Sequence, residues 1–315
     1  MSTFTAKDDD FHFAEMGDRW WMTETSWFSF CKPEEKLGGW LYTMARPNIG
    51  TVAGGAWVWD DKAHLPWEVA YNANYTALRL PRDQNLSDIT LPTGVSIKAV
   101  EPTMGYELRL EDGEVCRMDL RFQGIMPPRA LKKSDSPFGG ANHFDQFGRV
   151  IGEVHLGERV VAIDCLAMRD RSWGPRPEHR PKKSAYVTGI ASERDAFLAV
   201  TKWSGAVEEI AYGFMIRDGE IADLVSGTRR VERDPQEGWV TRMVMEGRDE
   251  HGRAFHAEGT RLSGIIINRH SFIDSNGLMA WTINGHAGHG EDQDMWPVHD
   301  WAAMRREQRG ERKAS

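Results

Sequence analysis

The chain has 315 residues, 40% of them hydrophobic, with a net charge of −8 and an isoelectric point near 5.8. That apolar share supports a real core, in two ordinary domains or one large all-β unit, and excludes a largely disordered chain. The acidic balance excludes a general nucleic-acid surface, which needs a concentrated positive field.

Residues 1–10 are polar and acidic and lack the apolar centre of a secretory signal. No apolar run is long enough to span a membrane. Cys31, Cys116 and Cys165 are odd in number and far apart, without zinc spacing, which suits a reducing cytoplasm. The 13 tryptophans equal the phenylalanines in number, and flat polarisable rings suit both a core and an aromatic ligand cavity.

In chain order, Trp27-Phe28-Ser29-Phe30 and Trp40-Leu41-Tyr42 read as strands flanking a turn at 32–36, with Gly38-Gly39 as punctuation. A third strand follows over 52–59, carrying Trp57 and Trp59, and a fourth over 70–80. Segments 106–110 and 116–122 alternate apolar and polar residues around Asp112-Gly113, a hairpin signal. Residues 125–140 mix Pro, Gly, Ser and Lys and read as a domain boundary, giving domains 1–130 and 131–315. Beyond it, short strands recur at hairpin spacing as far as 283, and 300–308 reads as a short terminal helix. The pattern is all-β. Two antiparallel barrels side by side are the natural arrangement because closure removes exposed edges, and two sandwiches fit nearly as well.

The densest chemistry lies in 168–176, Met-Arg-Asp-Arg-Ser-Trp-Gly-Pro-Arg, which ends an apolar run. Continued as a strand, it puts Met168, Asp170 and Ser172 on one face and Arg169, Arg171 and Trp173 on the other. Asp170 is then either an acid/base group or one end of a structural ion pair. A second cluster, Asn142-His143-Phe144-Asp145-Gln146, offers His143 for proton transfer near neutrality. A third, with His286, His289 and Glu291, is a weak metal candidate because Gly285, Gly288 and Gly290 suggest a turn. No dinucleotide fingerprint, phosphate loop or nucleophile elbow is present.

His143-Phe144-Asp145-Gln146, a hairpin, and then Asp170-Arg171-Ser172-Trp173-Gly174 together resemble the carotenoid 1,2-hydratase (hydroxyneurosporene synthase) and AttH-like superfamily. Glu24-Thr25-Ser26-Trp27-Phe28 and Arg46-Pro47-Asn48 resemble a branch of it with paired domains. The resemblance implies two lipocalin-like (calycin-type) barrels with a ligand cavity. It also implies hydration of alkenes or cyclisation of long unsaturated chains, including pericyclic reactions. The hydratase pattern flanks its aspartate with histidines, whereas here Arg169 and Arg171 stand in those places. Two nearby cations favour the ionised carboxylate, unless alternation points them away.

The expectation is a cofactor-independent enzyme acting on an apolar, unsaturated small molecule. Hydratase or dehydratase comes first, isomerase or cyclase second and a carrier third. Asp170 and His143 are the candidate acid/base groups, joined by Arg171 and Tyr212. Trp27, Trp40, Tyr42, Trp57, Trp173 and Trp281 are candidates for the cavity wall, with Gln146 and Arg176 as polar contacts. No cofactor, nucleic-acid partner or membrane span is expected, the location is expected to be cytoplasmic, and a homodimer stays open.

Overall fold

The computed structural model describes residues 4–15, 17–131, 142–176, 182–204, 207–269 and 272–310. The chain divides into two compact units, one of residues 1–59 and 69–177, the other of 60–68 and 178–315.

The first unit holds β1 (Met22–Lys32), β2 (Leu37–Arg46), β3 (Thr51–Trp59), β4 (Tyr71–Arg79), β5 (Asp88–Thr90) and β6 (Val95–Glu101). It continues through β7 (Gly105–Asp112), β8 (Cys116–Gly124), β9 (Arg129–Ala130), β10 (Asn142–Leu156) and β11 (Arg159–Pro175). These eleven strands form one open, curled sheet in the order β4-β3-β2-β1-β11-β10-β8-β7-β6-β5, with β9 beside β10. The long hairpin β10–β11 is its spine, pairing with β8 on one side and β1 on the other.

The second unit holds β12 (Ser184–Ser192), β13 (Asp195–Ser204), β14 (Val207–Arg217) and β15 (Glu220–Arg233). β16 (Val240–Asp249), β17 (Ala254–Arg269), β18 (Phe272–Ile283) and β19 (His286–Pro297) complete a closed eight-stranded barrel, followed by α1 (Val298–Gln308). Phe197, Met215, Met243, Met245, Phe255, Met279 and Trp281 form a continuous buried cluster in its lumen.

The all-β class, the barrel and the terminal helix agree with the sequence reading, but only one of the two sheets closes. The division also falls elsewhere. The expected boundary at 130/131 would cut β10 and β11 away from β8 and β1, to which they are hydrogen-bonded, so the Asp-x-Ser-Trp-Gly stretch belongs to the first unit. Pro, Gly and Ser mark a loop whether it links domains or strands. Most of that stretch, residues 132–141, lies outside the described residues.

Gly38 and Gly39 sit inside β2 rather than before it. A Cβ on Gly39 would lie 2.1 Å from the Phe30 ring, and one on Gly38 2.5 Å from the Trp59 indole. The pair makes room for rings reaching over from both neighbouring strands.

Candidate active site

The registers bear out the strand alternation across 168–173. Asp170 stands opposite Asp145 of β10 and Trp27 of β1, while Ser172 stands opposite His143 and Thr25. Trp27 in turn faces Tyr42 of β2, and Trp40 faces Trp57 of β3. With a period of two, His143, Asp145, Asp170, Ser172, Thr25, Trp27, Tyr42, Trp40 and Trp57 therefore share one face of the sheet.

On that face His143 Nε2 lies 2.8 Å from Asp145 Oδ1, and both side chains are almost wholly buried. Asp170 is half-buried. Burial opposes a charge on His143, but the Asp145 carboxylate, through charge and hydrogen bond, outweighs it with help from Asp170. The imidazole is raised above its ordinary value even though Arg176 opposes. The result is a histidine–carboxylate couple that favours the charged imidazole, with a second carboxylate directly across the strand pair. Arg176 donates to Ser172 Oγ at 2.7 Å, and Ser172 meets Thr25 Oγ1 at 2.7 Å, which brings a guanidinium to the edge of the group.

The ring neighbours are tightly packed. Trp27 and Trp40 meet edge to face at 5.4 Å, Trp40 and Trp57 at 5.9 Å, and Tyr42 and Trp57 at 6.2 Å. Trp27, Trp40 and Trp57 are at most 3% exposed. They fill their space as a floor beside the acidic group rather than walling an open hollow, and Tyr42 is the partly exposed member.

Arg169, Arg171, Gln146 and Trp173 face the other side. Arg171 Nη2 meets Glu24 Oε2 at 2.6 Å and the Asp10 carbonyl at 2.8 Å. Arg169 donates to Gln146 Oε1 at 2.6 Å and to the Thr103 carbonyl at 3.0 Å, with its guanidinium 4.2 Å from the Tyr106 ring. Trp173 stacks on His12 at 4.2 Å. These groups fasten the amino-terminal segment onto the sheet. Arg171 and Gln146, expected in the site, are separated from Asp170 by the sheet itself, and so is Trp173. Two arginines can thus flank this aspartate without pairing with it.

Tyr212 and Trp281 belong to the second unit. Trp281 lies in the barrel lumen against Phe197, and Tyr212, opposite Val200, is buried on the outer face. The segment from His286 is a strand rather than a turn, so His286 and His289, three apart, point to opposite faces and cannot close on one ion with Glu291.

Among the described residues, one His/carboxylate group has all its ligand atoms within 4.8 Å of one another, and it is His143, Asp145 and Asp170. That spacing could hold a divalent cation. Two of the three donors already satisfy each other, which describes an ion-paired couple rather than an open ligand set. Asp145 and Glu24 were the residues that sequence reasoning passed over. The i, i+2 spacing of His143 and Asp145 was the available signal, legible once 142–156 is taken as a strand.

The chain matches, over residues 5–297, the family described as a domain of unknown function, DUF7064. It belongs to that family. No curated protein matches it. Among solved structures, kievitone hydratase from Nectria haematococca has the same fold at TM-score 0.56 and 10% identity, covering 90% of each chain. CghA with Sch210972 aligns at 0.54 and 11%, covering 87% of this chain and 88% of that one. A Nitrosomonas europaea protein assigned to AttH aligns at 0.53 and 13%, covering 91% and 95%. At these identities the likeness is one of fold. No helix is long and apolar enough to cross a membrane among the described residues.

Proposed function

We propose that this chain is an enzyme that hydrates an alkene of an apolar small molecule, or dehydrates the corresponding alcohol, by acid/base catalysis at His143, Asp145 and Asp170. The observation that carries the reading is the convergence of these three groups on one sheet face beside the tryptophan floor. The fold shared with kievitone hydratase supports it.

In the hydration direction a proton passes from the acid to one alkene carbon. Water then adds to the resulting cation and gives up a proton to the base, so that alkene plus water becomes alcohol. Asp170 is assigned the transfer because it is the partly exposed carboxyl and the cross-strand partner of Asp145. The His143–Asp145 couple stores the proton, since its imidazole holds one more tightly than usual. Neighbouring aromatic faces stabilise a cationic intermediate.

The test is incubation with terpenoid, polyketide, steroid and aromatic alkenes in ¹⁸O-water, read by mass spectrometry. Incorporation of ¹⁸O that is lost in Asp170→Asn supports the hydratase. An unlabelled isomer of the substrate would replace it with an isomerase or cyclase, and a ligand recovered unchanged would leave a carrier. Activity abolished by chelators and restored by a divalent ion would reassign the three side chains to a metal.

A further inference from the structure

The β1–β11 ladder runs one rung past Met22 and Pro175, because the Arg176 amide donates to the Trp21 carbonyl at 3.0 Å. Period two then carries the face of Asp170 and Ser172 through Gly174 to Arg176, with Trp21 across from it. Gly174 puts no side chain on that row, so the arginine folds back over it and donates to Ser172 Oγ at 2.7 Å. Ser172 stands opposite His143, and the guanidinium is close enough for its charge to work against protonation of the ring. Arg176 and Trp21 are both partly exposed, as Asp170 is. A cation thus sits at the open end of the row that carries the acid. Its positive field disfavours any cationic intermediate formed on this face, and a substrate that brings its own negative charge removes the conflict.

We infer that Arg176 selects the substrate of this site, and that the substrate is an unsaturated acid whose ionised oxygen, carboxylate or phenolate, meets the guanidinium while its apolar body lies along Trp21. The inference rests on the alkene hydration proposed above and narrows its substrate class. A guanidinium is charged at every working pH and presents a planar fork of donors that matches such oxygens. The bound oxyanion offsets the arginine's field at the reacting carbons. It also favours the protonated form of a neighbouring carboxyl, the form in which Asp170 delivers a proton. Ser172 and Thr25, joined at 2.7 Å, hold the arginine at the edge of the group rather than over Asp170.

Isothermal titration calorimetry with two matched pairs tests this: cinnamate against cinnamyl alcohol, and ionised 4-nitrophenol against 4-nitroanisole. The wild type is expected to bind the charged member of one pair at least about tenfold more tightly, and the pair that responds tells carboxylate from phenolate. Arg176→Gln should abolish the preference and Arg176→Lys, which keeps the charge without the fork, should retain part of it. The wild-type comparison and the lysine variant suffice if the glutamine variant unfolds. Equal affinities within both pairs, no binding of any of the four, or a preference that survives Arg176→Gln overturns the assignment. An acid preference that depends on Arg176 in a protein that incorporates no ¹⁸O keeps the oxyanion site and overturns the hydratase. Incorporation of ¹⁸O without an acid preference does the reverse.

Discussion

In the barrel lumen, Arg229 meets Asp292 at 2.7 and 2.8 Å and Glu208 at 2.9 and 3.0 Å, and Arg233 holds Asp294 at 2.6 Å. On the sheet of the first unit, the comparable group is one imidazole and two carboxylates, one of them half-buried, with Arg176 reaching its edge through Ser172. Both clusters bury charge, but the first is built around guanidiniums and the second around an imidazole. Burial drives Asp292 up to about 7 against the pull of Arg229, while Arg233 and Arg229 overcome burial to hold Asp294 well below the carboxylate range. The lumen pair thus shares its charge around fixed cations, as a structural plug would. The sheet cluster sets a half-buried carboxyl next to an imidazole that holds its proton more tightly than usual.

Substitutions that break this contrast differ in their effect on stability. Arg229→Met leaves three carboxylates around a vacated cation and is expected to cost about 3–5 kcal/mol in urea unfolding. Restoring the hydratase pattern with Arg171→His is expected to cost about 3 kcal/mol by releasing Glu24. It is not expected to raise turnover, because the side chain lies across the sheet from Asp170. Asp170→Asn sharpens the comparison. Its melting temperature should move by less than the equivalent of about 1 kcal/mol, while turnover falls at least about 100-fold. A collapsed fold would make Asp170 structural.

The smallest effect is one of pH. His143 faces Asp145 on its own strand, Asp170 on the next and Arg176 beyond it, and the fold raises its pKa. Its contribution to stability is therefore complete below the ordinary histidine value and is lost as pH rises through the raised one. Wild-type protein should lose more stability than His143→Gln as pH rises above the ordinary histidine value, measured by thermal melts across that rise.

Local chemistry was enough to read the strand alternation at Asp170, the Asp112-Gly113 hairpin and the terminal helix. Period-two patterning and turn residues act over a few positions, and the sequence carries them whole. The partition of Arg171 and Gln146 from His143 and Asp170 follows from the same alternation, once residues 142–156 are recognised as a strand. Long-range pairing was not legible. Whether residues 125–140 link domains or strands depends on β11 finding β1, more than 130 positions away in sequence at Thr25 and Ser172. Nothing in a Pro- and Ser-rich composition carries that contact. Likewise, 13 tryptophans announce aromatic surface, but only packing decides that Trp27, Trp40 and Trp57 fill their space. The sequence determines which side chains can share a face, because that is backbone geometry. Tertiary structure decides which faces meet, because that is a competition among all the strands at once.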